Sequence, residues 1–259
     1  MELIEESKDV LLYYSPTKKW IINVKKGLKF HTHLGIIDID EIINKPYGVA
    51  IISNKGKKLY VLKPTIYDLI FKSKRKTQIV YPKDLGYIIA RTGLGSNEIA
   101  IEIGTGSGAL TTFLANIVKP NGHVYTYDIN EEFVNIAKSN VRKAKLEEYV
   151  TFNIKDIRNE KLESHIADLV TIDLGDPWNV IDIVKNILKP SKMLVSICPT
   201  MNQAEKLSMV LKDGFIDIEC NEIMIRTIEA REGMTRPAFR MIGHTTYLVF
   251  ARRLYDSSK

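Results

Sequence analysis

The chain has 259 residues, 45% of them hydrophobic and 26% charged, which is the composition of a globular protein and excludes a disordered one. It holds no run of about 18 apolar residues, and its acidic start, Met1 to Glu6, lacks the basic and apolar regions of a secretory signal, so a cytoplasmic location without membrane contact is expected. The net charge of +6 is lopsided: residues 1–98 carry 17 Lys/Arg against 10 Asp/Glu, residues 99–259 carry 20 against 21, and a basic module beside a near-neutral one points to a polyanionic partner, nucleic acid first, or more plainly to a solvated Lys-rich surface.

In chain order, the front reads as short strands. Val10–Tyr14 and Trp20–Val24 are rich in β-formers, and a Lys26-Gly27 turn signal follows. Gly35–Ile39, Val49–Ser53 and Leu59–Leu62 continue the pattern, which predicts a small barrel or sandwich. A short helix is expected at 65–71, and Lys72-Ser73-Lys74-Arg75-Lys76 reads as an exposed linker. A β-rich basic domain over 1–75 and a second domain over 76–259 are therefore predicted.

From Ile99 the rhythm changes to apolar strands alternating with helical stretches. Strands are predicted at Ile99–Ile103, His123–Asp128, Val150–Ile154, Ala167–Asp173 and Met193–Ile197. Helical patterns lie near 108–118, 131–146, 178–188 and 202–213. This alternation predicts a parallel, doubly wound sheet. Phe215–Ile225 and Thr245–Ala251 are strand-like with no clear helix between them, which suits an antiparallel pair at the sheet edge. Cys198 and Cys220 lack CxxC spacing or a His cluster. No metal site is expected from them; they read as reduced thiols, with a single bridge left open.

The first strand of the second domain runs into Gly104-Thr105-Gly106-Ser107-Gly108, followed by a helix from Ala109-Leu110. Glycines let the backbone turn sharply and let a ligand come close, and the helix start offers free N–H groups. Asp128 ends the next strand, where a carboxylate can accept both hydroxyl hydrogens of a ribose. The arrangement predicts a site for an adenosine-containing ligand. Gly104-x-Gly106-x-x-Ala109 also satisfies the dinucleotide fingerprint. Glu102 two residues before the first Gly, the alternate-position glycines and Asp156 after the third strand favour S-adenosylmethionine instead, with Asp156 expected to face the adenine amino group. Asp173-Leu174-Gly175-Asp176-Pro177-Trp178 follows the fourth strand, placing Asp173 near that ligand, although Asp176-Pro177 also reads as a helix start.

Tyr81-Pro82-Lys83-Asp84, Glu102 to Thr111 and Asp173 to Trp178 occur in that order, followed by Arg236-Pro237 and Gly243-His244-Thr245. Over about residues 78–253 this resembles the tRNA (adenine-N1)-methyltransferase family, class I S-adenosylmethionine-dependent enzymes. The resemblance implies a Rossmann-like seven-stranded sheet behind a small β-rich domain. It also implies homotetramers and methylation of T-loop adenine 58 of tRNA, with 57 added in archaeal members. By the same resemblance Asp173 and Tyr81 lie at the target base as catalytic candidates. Glu102, Gly104, Thr105, Gly106, Ser107, Gly108, Ala109, Leu110, Asp128, Asp156 and Asp173 are the donor-side candidates. Lys83, Pro177, Trp178, Arg236 and His244 are the substrate-side ones; Arg240 is a further candidate for RNA contact, and His244 also reads as a core or capping histidine. The sequence departs from the family pattern at Gly175, where relatives often carry a larger residue. Rival readings are a methyltransferase of the same fold acting on a protein or small molecule, an NAD(P) oxidoreductase, and a silent RNA-binding subunit. No Tyr-x-x-x-Lys follows the sheet to support the second, and the intact glycine loop argues against the third.

Overall fold

The β-formers at the front of the chain pair as antiparallel strands. In the computed structural model, which describes residues 1–255, β1 (Asp9–Ser15), β2 (Lys18–Asn23), β3 (Lys29–Thr32), β4 (Gly35–Asp38), β5 (Ala50–Ile52) and β6 (Lys58–Leu62) precede α1 (Ile66–Phe71). The strands form a four-stranded sheet in the order β2-β1-β6-β5 and a separate β3–β4 hairpin. Alternation puts Val10, Leu12, Leu59 and Val61 inside, where they pack with Ile4, Ile22, Ile37 and Ile39. Helix α1 opens with a reciprocal capping box between Thr65 and Asp68. This unit covers Met1–Ser73, and it holds 12 Lys/Arg against 8 Asp/Glu, so part of the basic excess lies beyond it.

The second unit begins at Lys74. It comprises α2 (Pro82–Thr92), β7 (Ile99–Ile103), α3 (Ala109–Val118), β8 (His123–Asp128), α4 (Glu131–Lys143), β9 (Val150–Ile154) and β10 (Ala167–Ile172). Then follow α5 (Ile181–Ile187), β11 (Leu188–Cys198), α6 (Met201–Leu211), β12 (Phe215–Asn221), β13 (Ile228–Glu229), β14 (Arg236–Pro237) and β15 (Tyr247–Arg253). The seven-stranded sheet runs β12-β15-β11-β10-β7-β8-β9. Its strands are parallel except β15, which is antiparallel to both β11 and β12. The predicted antiparallel pair thus exists, but β15 lies inside the sheet and β12 forms the edge. The four residues Leu248–Ala251 are buried, which suits an inner position.

Strand order reverses at β7, so the crevice above its carboxyl end has β8 on one side and β10 on the other. Ile101, Ile103, Val170, Ile172 and Leu194 form the core beneath that crevice. Helix α2 starts at Pro82 and stops at Gly93 in the left-handed conformation, φ 71°. The sequence reading passed over it, although Leu85, Ile88 and Ile89 repeat at helical spacing. The helix expected over 178–188 is split into a 3-10 turn, Pro177–Val180, and α5.

The expected linker is held more tightly than its composition suggests. Lys74 N–H donates to Asn140 Oδ1 at 3.1 Å, and Asn140 Nδ2 returns bonds to the carbonyls of Lys74 and Ser107 at 2.7 and 2.9 Å. The side chains of Lys72, Lys74, Arg75 and Lys76 remain exposed. Cys198 and Cys220 are free thiols. Cys198 pairs with Tyr247 and Cys220 with Val249, so β15 separates them. Two strand spacings exceed the reach of a disulfide.

Candidate active site

Three loops converge at the switch point: the glycine loop after β7, Asp128 at the end of β8, and Asp173 after β10. They surround a cavity of about 390 Å³ lined by Glu102, Gly104, Thr105, Gly106, Ser107, Ala109, Leu110, Asp128 and Asp173. The size falls within the range of small-molecule sites. Thr77 to Val80, Phe133, Leu174 and Gly175 complete the wall.

Backbone conformation explains the glycines. Gly104, Gly106 and Gly108 have φ of 98°, 50° and 78°, where side chains are disfavoured. Each also touches something: a Cβ on Gly108 would stand 2.7 Å from the Ala137 Cβ, and one on Gly106 would approach Thr77 Oγ1 at 3.2 Å. Gly108 therefore packs α3 against α4 and does not reach the cavity wall. The loop is fixed by hydroxyls. Thr105 bonds Thr126 at 2.6 Å, and Ser107 bonds Thr77 at 2.9 Å while accepting from the Lys76 amide at 3.3 Å.

Asp128 is held by main-chain donors. Gly106 N–H reaches one carboxylate oxygen at 3.0 Å and Asn130 N–H the other at 2.9 Å. A carboxylate accepts about four hydrogen bonds, so acceptor capacity remains on both oxygens. Asn130 caps α4 by accepting from the amides of Glu132 and Phe133, which sets Phe133 at the wall.

Glu102 is buried beneath the loop. Thr111 donates to its Oε2 at 2.5 Å, while Oε1 is buried without a hydrogen-bond partner. Burial pushes its pKa up to about 8, with the charges of Asp173 and Asp128 adding to the shift. A buried oxygen without a partner in the wall of a cavity is a place for a polar group of a ligand.

Asp173 borders two cavities. Besides the larger one, it lines a smaller cavity of about 80 Å³ with Tyr81, Asp84, Pro199, Thr245 and Thr246. Its amide donates to the Ile103 carbonyl at 2.8 Å, joining it to the glycine strand. Surrounding protein raises its pKa to about 6, and repulsion from Asp128 contributes. The residue keeps solvent-accessible surface in the cleft, so water screens part of that effect. Tyr81 is half-buried and immediately precedes α2. It stands in the wall of the small cavity, not in the hydrophobic core.

Other predicted residues lie elsewhere. Asp156 caps a 3-10 turn and is clasped by Arg158 at 2.6–3.0 Å, outside both cavity walls. That ion pair holds its carboxyl below the usual range. Lys83 is directed to Asp84 and Thr245 rather than to solvent. Pro177 is buried at the start of its turn, and Trp178 lies under the Lys206 ammonium, 3.7 Å from the ring centroid. Arg236 sits in β14, pairs with Glu229 and covers Phe239 at 4.0 Å. His244 bonds Glu222 at 2.6 Å and the Pro199 carbonyl at 3.0 Å, and the first of these raises its pKa. Through Pro199 it braces the rim of the small cavity, and it lies outside both cavity walls. The sequence reading missed Thr77–Val80, although Ile79-Val80 directly before Tyr81-Pro82 is an apolar pair of the kind a cavity wall needs.

Among the described residues, no group of three or more His, Cys, Asp or Glu side chains is arranged to hold a metal ion, and no helix is long and apolar enough to cross a membrane. The model of one family, the tRNA methyltransferase complex GCD14 subunit, matches residues 57–235. The chain belongs to this family.

Relatives within and around the family agree with that placement. The tRNA (adenine(57)-N(1)/adenine(58)-N(1))-methyltransferase TrmI of Methanocaldococcus jannaschii is 39% identical over 257 residues, covering 88% of this chain and 90% of that protein. The crystal structure of the tRNA methyltransferase TrmI of Aquifex aeolicus superimposes with a TM-score of 0.87 at 31% identity, covering 98% of this chain and all of that one. A Thermotoga maritima structure described as an SAM-dependent O-methyltransferase superimposes with a TM-score of 0.92 at 36% identity, covering 99% of this chain and 96% of that one.

Proposed function

We propose that this enzyme transfers a methyl group from S-adenosylmethionine to N1 of adenine in the T-loop of tRNA, at position 58 and, as the name of the Methanocaldococcus relative suggests, at 57. The observation that carries this reading is the placement of Asp173 in the shared wall of two cavities, one built for a donor and one beside Tyr81 for an acceptor.

The larger cavity suits the donor on its own chemistry. Asp128 has acceptor capacity for two ribose hydroxyls, Glu102 Oε1 has no hydrogen-bond partner within the chain, Phe133 offers an apolar face, and the glycine loop admits close backbone approach. When bound, the donor supplies an electrophilic methyl on a sulfonium. The residues around it have to align the acceptor and exclude water. Adenine N1 attacks through an in-plane lone pair, so Asp173 need not remove a proton first. Its carboxylate accepts from the exocyclic amino group and stabilises the positive charge that grows on the ring. Tyr81 orients the base.

N1 lies on the Watson–Crick edge, so the base must be turned out of its stack to be reached. The exposed Lys72, Lys74, Arg75 and Lys76, with the basic first unit, supply phosphate contacts for that grip. The homotetramer implied by the family resemblance is supported by the segment after β12. There Met224, Ile225, Ile228, Met234, Phe239, Met241 and Ile242 are all exposed, an apolar surface of the kind that assembly covers.

Incubating the protein with unmodified tRNA and labelled S-adenosylmethionine, followed by nucleoside analysis, tests the reading. Label in N1-methyladenosine mapped to the T-loop is the expected result. Label on a ribose oxygen would match the Thermotoga description instead. No label in tRNA, with donor binding intact, would move the acceptor to a protein or small molecule.

A further inference from the structure

Behind the small cavity, three side chains from two distant parts of the chain close a ring of hydrogen bonds. Lys83 Nζ donates to Asp84 Oδ1 at 2.7 Å and to Thr245 Oγ1 at 2.6 Å. Thr245 Oγ1 donates to Asp84 Oδ2 at 2.9 Å. The Asp84 side chain has no exposed surface, and that of Lys83 is 10% exposed. Both belong to the first turn of α2, whereas Thr245 lies just before β15.

A buried ion pair is weak evidence for stability, because desolvation offsets its attraction. Its attested use is to specify geometry. Lys83 and Asp84 are adjacent in sequence, so their bond alone cannot tie α2 to anything. The Thr245 hydroxyl is the group that connects the pair to the sheet, acting as acceptor for one and donor for the other. The residue fixed by this connection is Tyr81, whose carbonyl accepts from the amides of Asp84 and Leu85 at 2.9 and 3.0 Å. Tyr81 lines the small cavity with Asp173, and Asp84 and Thr245 line it too.

We propose that Thr245, acting through Asp84 and Lys83, is a positioning residue that locks the start of α2 to the sheet and so holds Tyr81 across the small cavity from Asp173. Thr245 touches no reacting atom. This rests on the reading that the small cavity receives the acceptor base. The clamp itself is a statement about the mobility of Tyr81 and can be measured without any acceptor.

The test compares Thr245→Val, which keeps the shape and removes the hydroxyl, with Thr245→Ser, which restores it. Amide hydrogen exchange in the full-length protein is read at residues 81–86, with β7 and β10 as the internal reference. Exchange at 81–86 rises about tenfold or more in Thr245→Val and returns to the wild-type rate in Thr245→Ser. Binding of S-adenosylhomocysteine, measured by calorimetry, is unchanged in both. At saturating tRNA the single-turnover methylation rate of Thr245→Val falls about tenfold or more and Thr245→Ser recovers it. Unchanged exchange at 81–86 in Thr245→Val overturns the proposal, as does a rise that Thr245→Ser fails to reverse. Should Thr245→Val lose the reference protection as well, Thr245→Ala is read in the same way. A wild-type protein that methylates no tRNA would refute the acceptor assignment, while the exchange data would still decide the clamp.

Discussion

Gly104 lies directly against the main chain of Asp173: a Cβ built on Gly104 would collide with the Asp173 carbonyl oxygen. The contact follows from register, because Ile103 and Ile172 are partners on adjacent parallel strands and their successors leave the sheet together. The glycine loop and the catalytic candidate thus share one backbone junction.

Gly104→Ala should therefore fail for two reasons, its φ of 98° and the collision. A cost of about 1–3 kcal/mol is expected from the backbone strain, with further loss from displacement of Asp173. Gly95→Ala is the control, since nothing lies within 4 Å of that Cβ and its φ is ordinary. It should leave the melting temperature and the methylation rate unchanged. Thermal melts and donor titrations of the two variants check the contrast.

Asp173 and Asp128 should separate by function although both line the larger cavity. Asp173→Ala is expected to lower turnover about 100-fold or more with donor affinity preserved. Asp128→Ala is expected to weaken donor binding about 10- to 100-fold, as loss of bonds to a charged group does. Because the surrounding protein raises the Asp173 pKa to about 6, and the proposed role needs the carboxylate, kcat/KM should climb as pH rises through that value. Asp173→Asn should lack this inflection. Normal turnover by Asp173→Ala would remove it from the site.

Glu102 gives a stability signature of opposite sign to that of a salt-bridged acid. Its folded pKa is raised from 4.5 to about 8, so between these values the folded chain holds a proton that the unfolded chain has released. Stability contributed by this group falls as pH rises through that window and is lost above it. Glu102→Gln cannot ionise, so its melting temperature should decline less from pH 5 to pH 8 than that of the wild type. Parallel melting curves would contradict the raised pKa.

Phe239 is 83% exposed, and its ring carries the Arg236 guanidinium on one face. If the segment after β12 is where copies meet, Phe239→Asp should reduce the assembly size seen by sedimentation while donor binding per chain persists. An unchanged sedimentation profile would place the interface elsewhere.

Much of the sheet and its donor loop was legible in the sequence, because each is a local property. Parallel strands buried on both faces must be apolar runs such as Ile99–Ile103. A loop forced to positive φ must be glycine, as at Gly104, Gly106 and Gly108. Acids at the carboxyl ends of the predicted strands stand out in the sequence, as Asp128 and Asp173 do. Strand position also chose Asp156, yet Arg158 two residues on clasps its carboxylate, a local bond that strand position does not reveal.

What the tertiary structure decided depends on contacts between residues far apart in sequence. The second cavity exists because α2, β10, the end of β11 and the approach to β15 meet there, joining Tyr81 to Asp173, Pro199 and Thr245. Lys83 is a substrate-side candidate by the family resemblance, but Thr245, 162 positions away, engages it internally. The strongly shifted acids belong to the same category. The sequence picks out Glu102 and Asp173 but not how they titrate: their pKa values rise because the folded protein surrounds them and sets like charges nearby. Sequence periodicity determines which segments are buried, whereas side-chain partners and local dielectric are fixed when those segments pack in three dimensions.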